Sequence, residues 1–507
     1  MKLSDLLRGV DILAADADFS LDVSGVQYDS RKVRPGEVFI AITGFATDGN
    51  RYIEAALERG AVLVVTDQTP PPQAPYVLVS AARLALAQMG ANWYGHPAEK
   101  LTLVGVTGTN GKTSVTWLLK SVLEQARGYK VGLIGTVQNM IGQQVLPTVR
   151  TTPESWELQG LLADMVRAGC THAVMEVSSH ALALERVGGM HFQVGVFTNL
   201  TEDHLDFHGT MEAYQKAKAL LFQRCEIGVF NLDDPYCEAM QAGAACRMLT
   251  TSLRDRKADL WARDLTLAPD HIAFTAVSRG RDAPVTLGIP GAFTAYNTLS
   301  VLGAAVALGL ALEDAAYALR TAQGVKGRIE VVPTPGTDFT VFIDYAHTPD
   351  GLKNILHAAR GFSRGRVVAL VGCGGDRDRL KRPIMGRIAV ERADFVVFTS
   401  DNPRTEKPME ILQEILAGAV GFHTPYVVIE DRREAIRYCL DHGQKDDVIV
   451  LAGKGHETYQ EVAGKKRHLD EREEVAAWLA ARHPEKEVKL HEQDFPRTGG
   501  PMVRRPD

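Results

Sequence analysis

At 507 residues the chain is too long for one hydrophobic core, so two to four domains are expected. Its 45% hydrophobic and 23% charged residues are those of an ordinary soluble protein, and a net charge of −6 gives no general attraction to nucleic acid or to an anionic membrane. The six cysteines (Cys170, Cys225, Cys237, Cys246, Cys373, Cys439) include no C-x-x-C pair and no metal-ligand spacing, which argues against a disulfide framework and fits a reducing compartment.

The opening MKLSDLLRGVDILAAD acquires acids where a secretory signal needs an unbroken apolar run. The longest apolar stretch, Val301 to Leu312, falls short of the roughly 20 residues of a membrane helix. A cytoplasmic monomer without membrane insertion is the expectation.

Residues 1–97 read as a small mixed α/β domain. The β-rich runs EVFIAI (37–42) and AVLVVT (61–66) flank a helical stretch near Tyr52–Arg59, and PPPQAP (70–75) reads as a surface loop. GHPAEK (95–100) breaks this pattern, and residues 98–332 carry a new one. LTLVGV leads into a Gly-rich turn and a helix-compatible stretch from about Lys112. VGLIGT (131–136), THAVMEVS (171–178), VGVFTN (194–199) and IGVFNLD (227–233) follow as buried-strand candidates. Continuous apolar runs separated by helical stretches predict a central, mainly parallel sheet of the P-loop type, covered on both faces. A further α/β series, TVFIDY, RVVALVGCGG, DFVVFTSDNPR, YVVIE and DVIVLAGKG, makes residues 333–490 a Rossmann-like domain. The polar tail, 491–507, is expected to be poorly ordered.

The strongest chemical signal is Gly108-Thr109-Asn110-Gly111-Lys112-Thr113, set between a strand and a helix. Backbone N–H groups there can surround phosphate oxygens, Lys112 can neutralise β- and γ-phosphates, and the Thr113 hydroxyl can ligate Mg²⁺. The strict spacing G-x-x-x-x-G-K-T is not met, because position 106 is Val. MEVSSHAL (175–182) and NLTEDHLDFHG (199–209) come next, at strand ends where open α/β sheets place ligands. Glu176 and His204 can meet there as metal ligands, or serve as a structural acid and a surface imidazole. Lys218, in EAYQKAKALLF (212–222), reads by default as a solvated helix lysine.

Two clusters remain. In GVKGRIE (324–330) and IDYAHTPD (343–350), Arg328 suits a γ-phosphate, Asp344 a ribose hydroxyl and His347 a phosphate or ring contact. In CGGDRDRLKRP (373–383), SDNPRTE (400–406) and AGKGHETYQ (452–460), Arg377 and Arg404 offer carboxylate forks and Glu457 a counter-charge for an ammonium. Two guanidiniums and a carboxylate suit a zwitterionic amino acid; solvated loop charges are the alternative.

In chain order GTNGKT, TTP (151–153), EVSSHAL, NLTEDHLDFHG, GRIE, DYAHTPD, DNPR and GKGHE resemble the Mur ligases, and the likeness runs from YDSRKVRPGEVFIAITG to AGKGHE. The resemblance implies an ATP- and Mg²⁺-dependent acid–amino-acid ligase working through an acyl phosphate. Its substrates would be UDP-N-acetylmuramoyl-L-alanyl-D-glutamate and a diamino acid. It implies Lys112, Lys218, Glu176, His204 and Arg328 as catalytic residues, with Thr113, Glu176, His204 and Lys218, as its carbamate, at the metal. Gly108 to Ser114, Asn297, Arg328, Asp344 and His347 would bind ATP. The UDP-muramoyl dipeptide would meet Ser30, Phe45, Ala46, Thr47, Thr151, Thr152, Ser178 and Arg186. The family pattern has Gln two positions before that arginine, where this chain has Leu184.

Arg377, Asp401, Asn402, Pro403, Arg404, Gly453 and Glu457 would hold the amino acid. DNPR resembles the version that accepts meso-diaminopimelate, whose distal carboxylate can pair with Arg404. Lysine lacks that group and would leave a buried charge unpaired, at about 3–5 kcal/mol. A lysine-adding ligase, a folylpolyglutamate synthetase and a nucleotide-switched binding protein are the rival readings.

Overall fold

The computed structural model describes residues 1–44, 47–69, 74–268 and 271–482. Most of PPPQAP, and all of the tail expected to be poorly ordered, lie outside the described residues. The chain divides into two compact units, one of Met1–Ile329 and one that begins at Glu330.

The first unit carries two sheets. Its N-terminal sheet has five strands in the order Ile12–Asp16, Tyr76–Val79, Leu63–Thr66, Glu37–Ile40, Gly25–Gln27, parallel except at the first pair. The central sheet has eleven. Seven are parallel and lie in the order Leu260–Leu267, Arg247–Ser252, Cys225–Asn231, Phe192–Phe197, Thr102–Thr107, His172–Glu176, Val131–Ile134. Antiparallel strands extend both flanks: Ile272–Ser278 and Arg281–Leu287 on one side, Asn139–Ile141 and Gln144–Leu146 on the other. The expectation of a mainly parallel central sheet holds, and these hairpin extensions add to it.

Successive strand residues feed opposite cores, as a pleat requires. Val104, Val106 and Val174 face a core built with the helices Lys112–Arg127 and Ala292–Ala307. Leu103 and Met175 face another, with Leu158, Leu162 and Met165 of the helix Ser155–Arg167. The first of these helices buries Val115, Leu118, Leu119, Val122 and Leu123, a stripe at i, i+3, i+4 spacing. It ends where Gly128 turns left-handed (φ +66°) and its N–H bonds the Glu124 carbonyl at 2.9 Å.

The two sheets of this unit are bolted together by aromatic packing. Trp156 lies 5.8 Å from Trp93 and 5.3 Å from Tyr94, ring centre to ring centre. The helices Ala82–Tyr94 and Ser155–Arg167 approach closely where Gly90 meets Gln159 and Gly160 meets Tyr94. Tyr28 adds a hydrogen bond of 2.8 Å to Glu157.

The second unit is a six-stranded sheet, ordered Glu330–Val332, Thr340–Asp344, Val448–Ala452, Val367–Val371, Phe395–Phe398, Tyr426–Val428 and parallel after the first, antiparallel pair. The helices Arg432–Asp441 and Glu471–Arg482 bury one face, and among them sits an ion pair with no exposure at all, Arg432–Glu471 at 2.7 Å. Arg432 also donates to the Ser400 carbonyl (3.2 Å) and the Ala452 carbonyl (2.8 Å), tying the ends of two strands together. Burial pushes the Glu471 carboxyl up, and the guanidinium opposes that. Arg432→Met is expected to lower the stability of this unit by about 3–5 kcal/mol, with Glu471→Leu in the same chain recovering most of it. Denaturant titration followed by Trp478, the one tryptophan past residue 330, reads it out.

Candidate active site

The buried strand Thr102–Thr107 delivers the chain into Gly108, whose φ of +147° only glycine adopts with ease. A Cβ there would fall 1.9 Å from Thr198 Oγ1. The loop's peptide groups are fixed from the next strand end. Thr109 N–H donates to the Asn199 carbonyl and Asn110 N–H to Asn199 Oδ1, both at 2.9 Å. Thr198 Oγ1 and Asn199 Nδ2 donate to the Asn110 carbonyl at 2.6 and 3.0 Å. Asn231 in turn holds Thr198, and Asp234 holds Leu200. No side chain caps the helix that starts at Lys112, so its first-turn N–H groups keep their capacity for phosphate oxygens.

Two lysines converge on one carbonyl. Lys112 Nζ donates to the Gly108 and Thr109 carbonyls at 2.9 Å, and Lys218 Nζ donates to that of Gly108 at 2.8 Å. Lys218 is 1% exposed, which overturns the default reading of a solvated lysine. Burial, then the neighbouring Lys112, holds its ammonium well below the usual lysine range. The protein around Lys112 lowers that group as well, against the pull of Glu176 and Asp203. Tyr214 lies under Lys218, its ring centre 4.5 Å from Nζ and its hydroxyl 3.2 Å from Thr109 Oγ1.

Glu176 is buried, and Thr136 donates to it through N–H (2.9 Å) and Oγ1 (3.0 Å). His204 sits at φ +54° with Nε2 3.3 Å from Asp203 Oδ2, and its ring lies 4.8 Å from that of His180. The surrounding protein lowers its pKa, and Lys112 and Lys218 add to that against Asp203. His180 and His208 are pushed down to about 4, by burial first and then by His204, so both rings are neutral at pH 7.

On the flank of the loop, Ser114, Thr294, Asn297 and Arg328 line one cavity. A Cβ on Gly111 (φ +86°) would fall 2.4 Å from Asn297 Oδ1, so that glycine lets the amide close on the loop. Thr151 Oγ1 meets Thr136 Oγ1 at 3.0 Å, Thr152 Oγ1 donates to the Glu176 carbonyl at 2.8 Å, and Ser178 N–H donates to Thr152 Oγ1 at 3.2 Å. Arg186 donates to the Thr152 carbonyl at 3.2 Å. Thr151, Thr152, Ser178 and Arg186 therefore form one patch against Glu176. Ser30 is buried at the head of a short 3₁₀ turn in the N-terminal sheet, Thr47 Oγ1 lies 3.2 Å from Tyr52 Oη, and Phe45 and Ala46 lie outside the described residues.

The second unit gathers its own set at the carboxyl ends of Val367–Val371, Phe395–Phe398 and Val448–Ala452. Strand order reverses between the first and last of these, where α/β sheets open a crevice. Asn402 Nδ2 donates to Glu457 at 2.8 Å, and the fully buried Lys454 donates to both Asn402 Oδ1 (3.1 Å) and Glu457 (2.9 Å). Glu457 thus already has an ammonium partner. Arg404, at φ +52°, donates to the Gly375 carbonyl at 2.7 Å and has Glu461 3.7 Å from Nε. Gly453 closes its strand with N–H to the Asp344 carbonyl at 3.0 Å, which puts Asp344 beside this set; His347 lies further along that turn, its Nδ1 2.9 Å from the Tyr345 carbonyl. Arg377 stays exposed, bonded only to the Asp376 carbonyl among the hydrogen bonds described. Pro403 and Asp401 complete the turn; Lys454 Nζ is 3.6 Å from Asp401 Oδ1.

A P-loop beside a buried acid and lysine, with charged side chains gathered at the strand ends of a separate Rossmann-like sheet, fits a nucleotide-dependent ligase. Family profiles agree: the Mur ligase middle domain matches residues 106–305, the glutamate ligase domain 327–455 and the Mur ligase catalytic domain 22–94. A UDP-N-acetylmuramoyl-L-alanyl-D-glutamate–2,6-diaminopimelate ligase of Caldanaerobacter subterraneus subsp. tengcongensis is 50% identical, across 95% of this chain and 99% of that protein. One of the same designation from Clostridium acetobutylicum is 45% identical over 94% and 99%. A solved structure of such a ligase superposes with a TM-score of 0.68 at 33% identity, over 95% of this chain and 99% of that one. A MurF ligase from Thermotoga maritima in complex with ADP shares the fold at 19% identity, with a TM-score of 0.60 over 91% and 99%. The chain belongs to the Mur ligase family and is an ATP-dependent ligase of that family.

Sequence reasoning passed over Asp203, Tyr214, Lys454 and the clamp of Arg382 on Glu406 and Glu414 (2.8–2.9 Å) that holds the Gly374 turn. For Lys218 a signal existed: it stands four residues after Tyr214, on the same helix face. Gly108→Ala is expected to strain the loop by about 1–3 kcal/mol, weakening ATP binding about ten- to hundred-fold in a calorimetric titration.

Proposed function

We propose that this chain joins meso-2,6-diaminopimelate to the D-glutamyl γ-carboxylate of UDP-N-acetylmuramoyl-L-alanyl-D-glutamate, using ATP, in cytoplasmic peptidoglycan precursor synthesis. The observation that carries the reading is the set of strand-end loops in the second unit that holds Arg404, two residues on from Asn402, which bonds Glu457. A fork, an amide and a carboxylate there suit a head group with both charges, and the designations of its relatives agree.

The γ-phosphoryl group of ATP passes to the γ-carboxylate, giving an acyl phosphate and ADP. An amine of diaminopimelate then adds to the acyl carbon, and the tetrahedral intermediate expels phosphate as the nitrogen loses its proton. Lys112 exchanges its bonds to the Gly108 and Thr109 carbonyls for phosphate oxygens, and Arg328 adds a second positive charge.

Among the described residues no group of three or more His, Cys, Asp and Glu is arranged to hold a metal. An ammonium at Lys218 would repel one. Burial and the neighbouring Lys112 hold that ammonium well below the usual lysine range, and a carbamate formed from the amine and CO₂, with loss of a proton, would supply an oxygen ligand. With it, the Thr113 hydroxyl, Glu176 and His204 would hold Mg²⁺, which would neutralise charge on the transferring phosphoryl group.

ADP release from ATP, Mg²⁺ and the UDP-muramoyl dipeptide tests the reading. Turnover with diaminopimelate and not with L-lysine is expected; turnover with lysine would overturn the role of Arg404, and silence with both would overturn the ligase reading. Arg404→Met is expected to raise the KM for diaminopimelate about a hundred-fold or more, the loss of a charged fork. Native mass spectrometry is expected to show the mass of one CO₂ on the intact wild-type chain and none on Lys218→Ala, which is expected to lose nearly all turnover.

A further inference from the structure

A two-stranded hairpin stands out in the second unit because it adds nothing to a core. Tyr459–Val462 pairs antiparallel with Lys465–His468, and no residue of either strand is buried. The turn between them, Ala463-Gly464, is left-handed at both positions (φ +50° and +72°), as a tight hairpin requires. A two-stranded hairpin alone is marginal in water, so this one needs a partner. Among the described residues, its backbone-to-backbone bonds beyond the flanking Thr458 and Leu469 all go to Arg404. The Arg404 N–H donates to the Glu461 carbonyl at 3.0 Å, and the Ala463 N–H donates to the Arg404 carbonyl at 2.6 Å.

The turn that leads to Arg404 is held by the same hairpin. Gln460 Nε2 donates to the Asp401 carbonyl at 2.7 Å, and the Glu461 N–H donates to Asn402 Oδ1 at 2.9 Å. That second bond decides which way the Asn402 amide faces, and so directs its Nδ2 to Glu457. Another loop closes on the turn where the Gly375 N–H meets the Asn402 carbonyl at 2.9 Å, so near that a Cβ on Gly375 would fall 2.0 Å from the Pro403 oxygen. Arg404 sits at φ +52°, strained for any residue with a Cβ, and such a backbone persists only where its surroundings fix it.

The guanidinium of Arg404 is served less well than its backbone. It makes one of the hydrogen bonds described, Nη1 to the Gly375 carbonyl at 2.7 Å, and Glu461 stands 3.7 Å from Nε, too far for a bond. Arg382, by contrast, is fully buried and spends its fork on Glu406, Glu414 and the Gly374 carbonyl. A rigid backbone under an underused fork is the build of an arm aimed at a ligand.

We propose that the hairpin Tyr459–His468 sets the aim of Arg404, that Gln460 is its positioning residue, and that the preference for an amino acid with a second carboxylate depends on this clamp. The inference rests on the substrate reading given above. Gln460 touches no substrate; it acts through the Asp401 carbonyl, three residues before the fork. Discrimination at a fork needs the guanidinium held to within a fraction of an ångström, and a loosened turn loses it while ATP and the acyl chemistry are untouched.

The test is Gln460→Met, which keeps the length of the side chain and removes its donor without adding charge. The KM for diaminopimelate is expected to rise about ten- to thirty-fold, with kcat and the KM for ATP changing less than about three-fold. The ratio of kcat/KM for diaminopimelate to that for L-lysine falls by a similar factor. Hydrogen exchange read by mass spectrometry should quicken at the Arg404 and Ala463 amides, while denaturant unfolding followed by Trp478 stays at the wild-type midpoint. Unchanged selectivity in Gln460→Met overturns the proposal. So does a loss spread evenly over kcat and every KM with a lowered midpoint, the mark of a merely structural residue. A wild type that ignores diaminopimelate sinks the substrate reading instead; quickened exchange at Arg404 in the variant would then uphold the clamp, and unaltered exchange would overturn it.

Discussion

Everything in the first unit turns on one carbonyl, that of Gly108. Two lysine side chains reach it from different helices, and Glu176 and Asp203 stand near enough to feel the charge. Two ammoniums on one oxygen is an unstable arrangement in electrostatic terms, and burial makes it worse. The relief is to discharge one of them. Burial and Lys112 hold the more buried Lys218 well below the usual lysine range, while Glu176 and Asp203 support the charge on Lys112. The glycine is what permits the crowding: its left-handed backbone turns the carbonyl toward both amines, and the absent Cβ leaves room for Thr198.

The second unit solves a different problem. An amino acid that carries several charges needs fixed partners, and loops at strand ends are the softest part of a sheet. Here buried cations stiffen them. Arg432 ties Ser400 to Ala452, Lys454 ties Asn402 to Glu457, and Arg382 ties the Gly374 turn to Glu406 and Glu414. Each is essentially without exposure, so little side-chain entropy remains to be lost when a ligand arrives.

Much of this was legible in the sequence because it is local. Buried parallel strands show as unbroken apolar runs, and GTNGKT declares its loop by glycine spacing and by context. What escaped was non-local or mixed in pattern. The strand Arg281–Leu287 alternates in burial but contains Pro284, which speaks against a strand unless it lies at an edge, as it does. Asn139–Ile141 and Gln144–Leu146 are too short to show a period. The contact of Arg83 with Glu154 joins residues 71 positions apart, and nothing in either neighbourhood announces the other. Glu457 was expected to await an ammonium from solution, whereas its first partner, Lys454, stands three residues before it, inside the same motif.

The aromatic bolt between the two sheets of the first unit has a consequence for molecular size. Because Trp156 is wedged against Trp93 and Tyr94, and Tyr28 is pinned to Glu157, the loop around Ser30 and Thr47 stands at a set distance from Glu176. A ligand gripped at both ends meets a caliper with locked jaws. Molecules that share the right chemistry at each end, yet are one residue longer or shorter between them, fail to reach both grips at once.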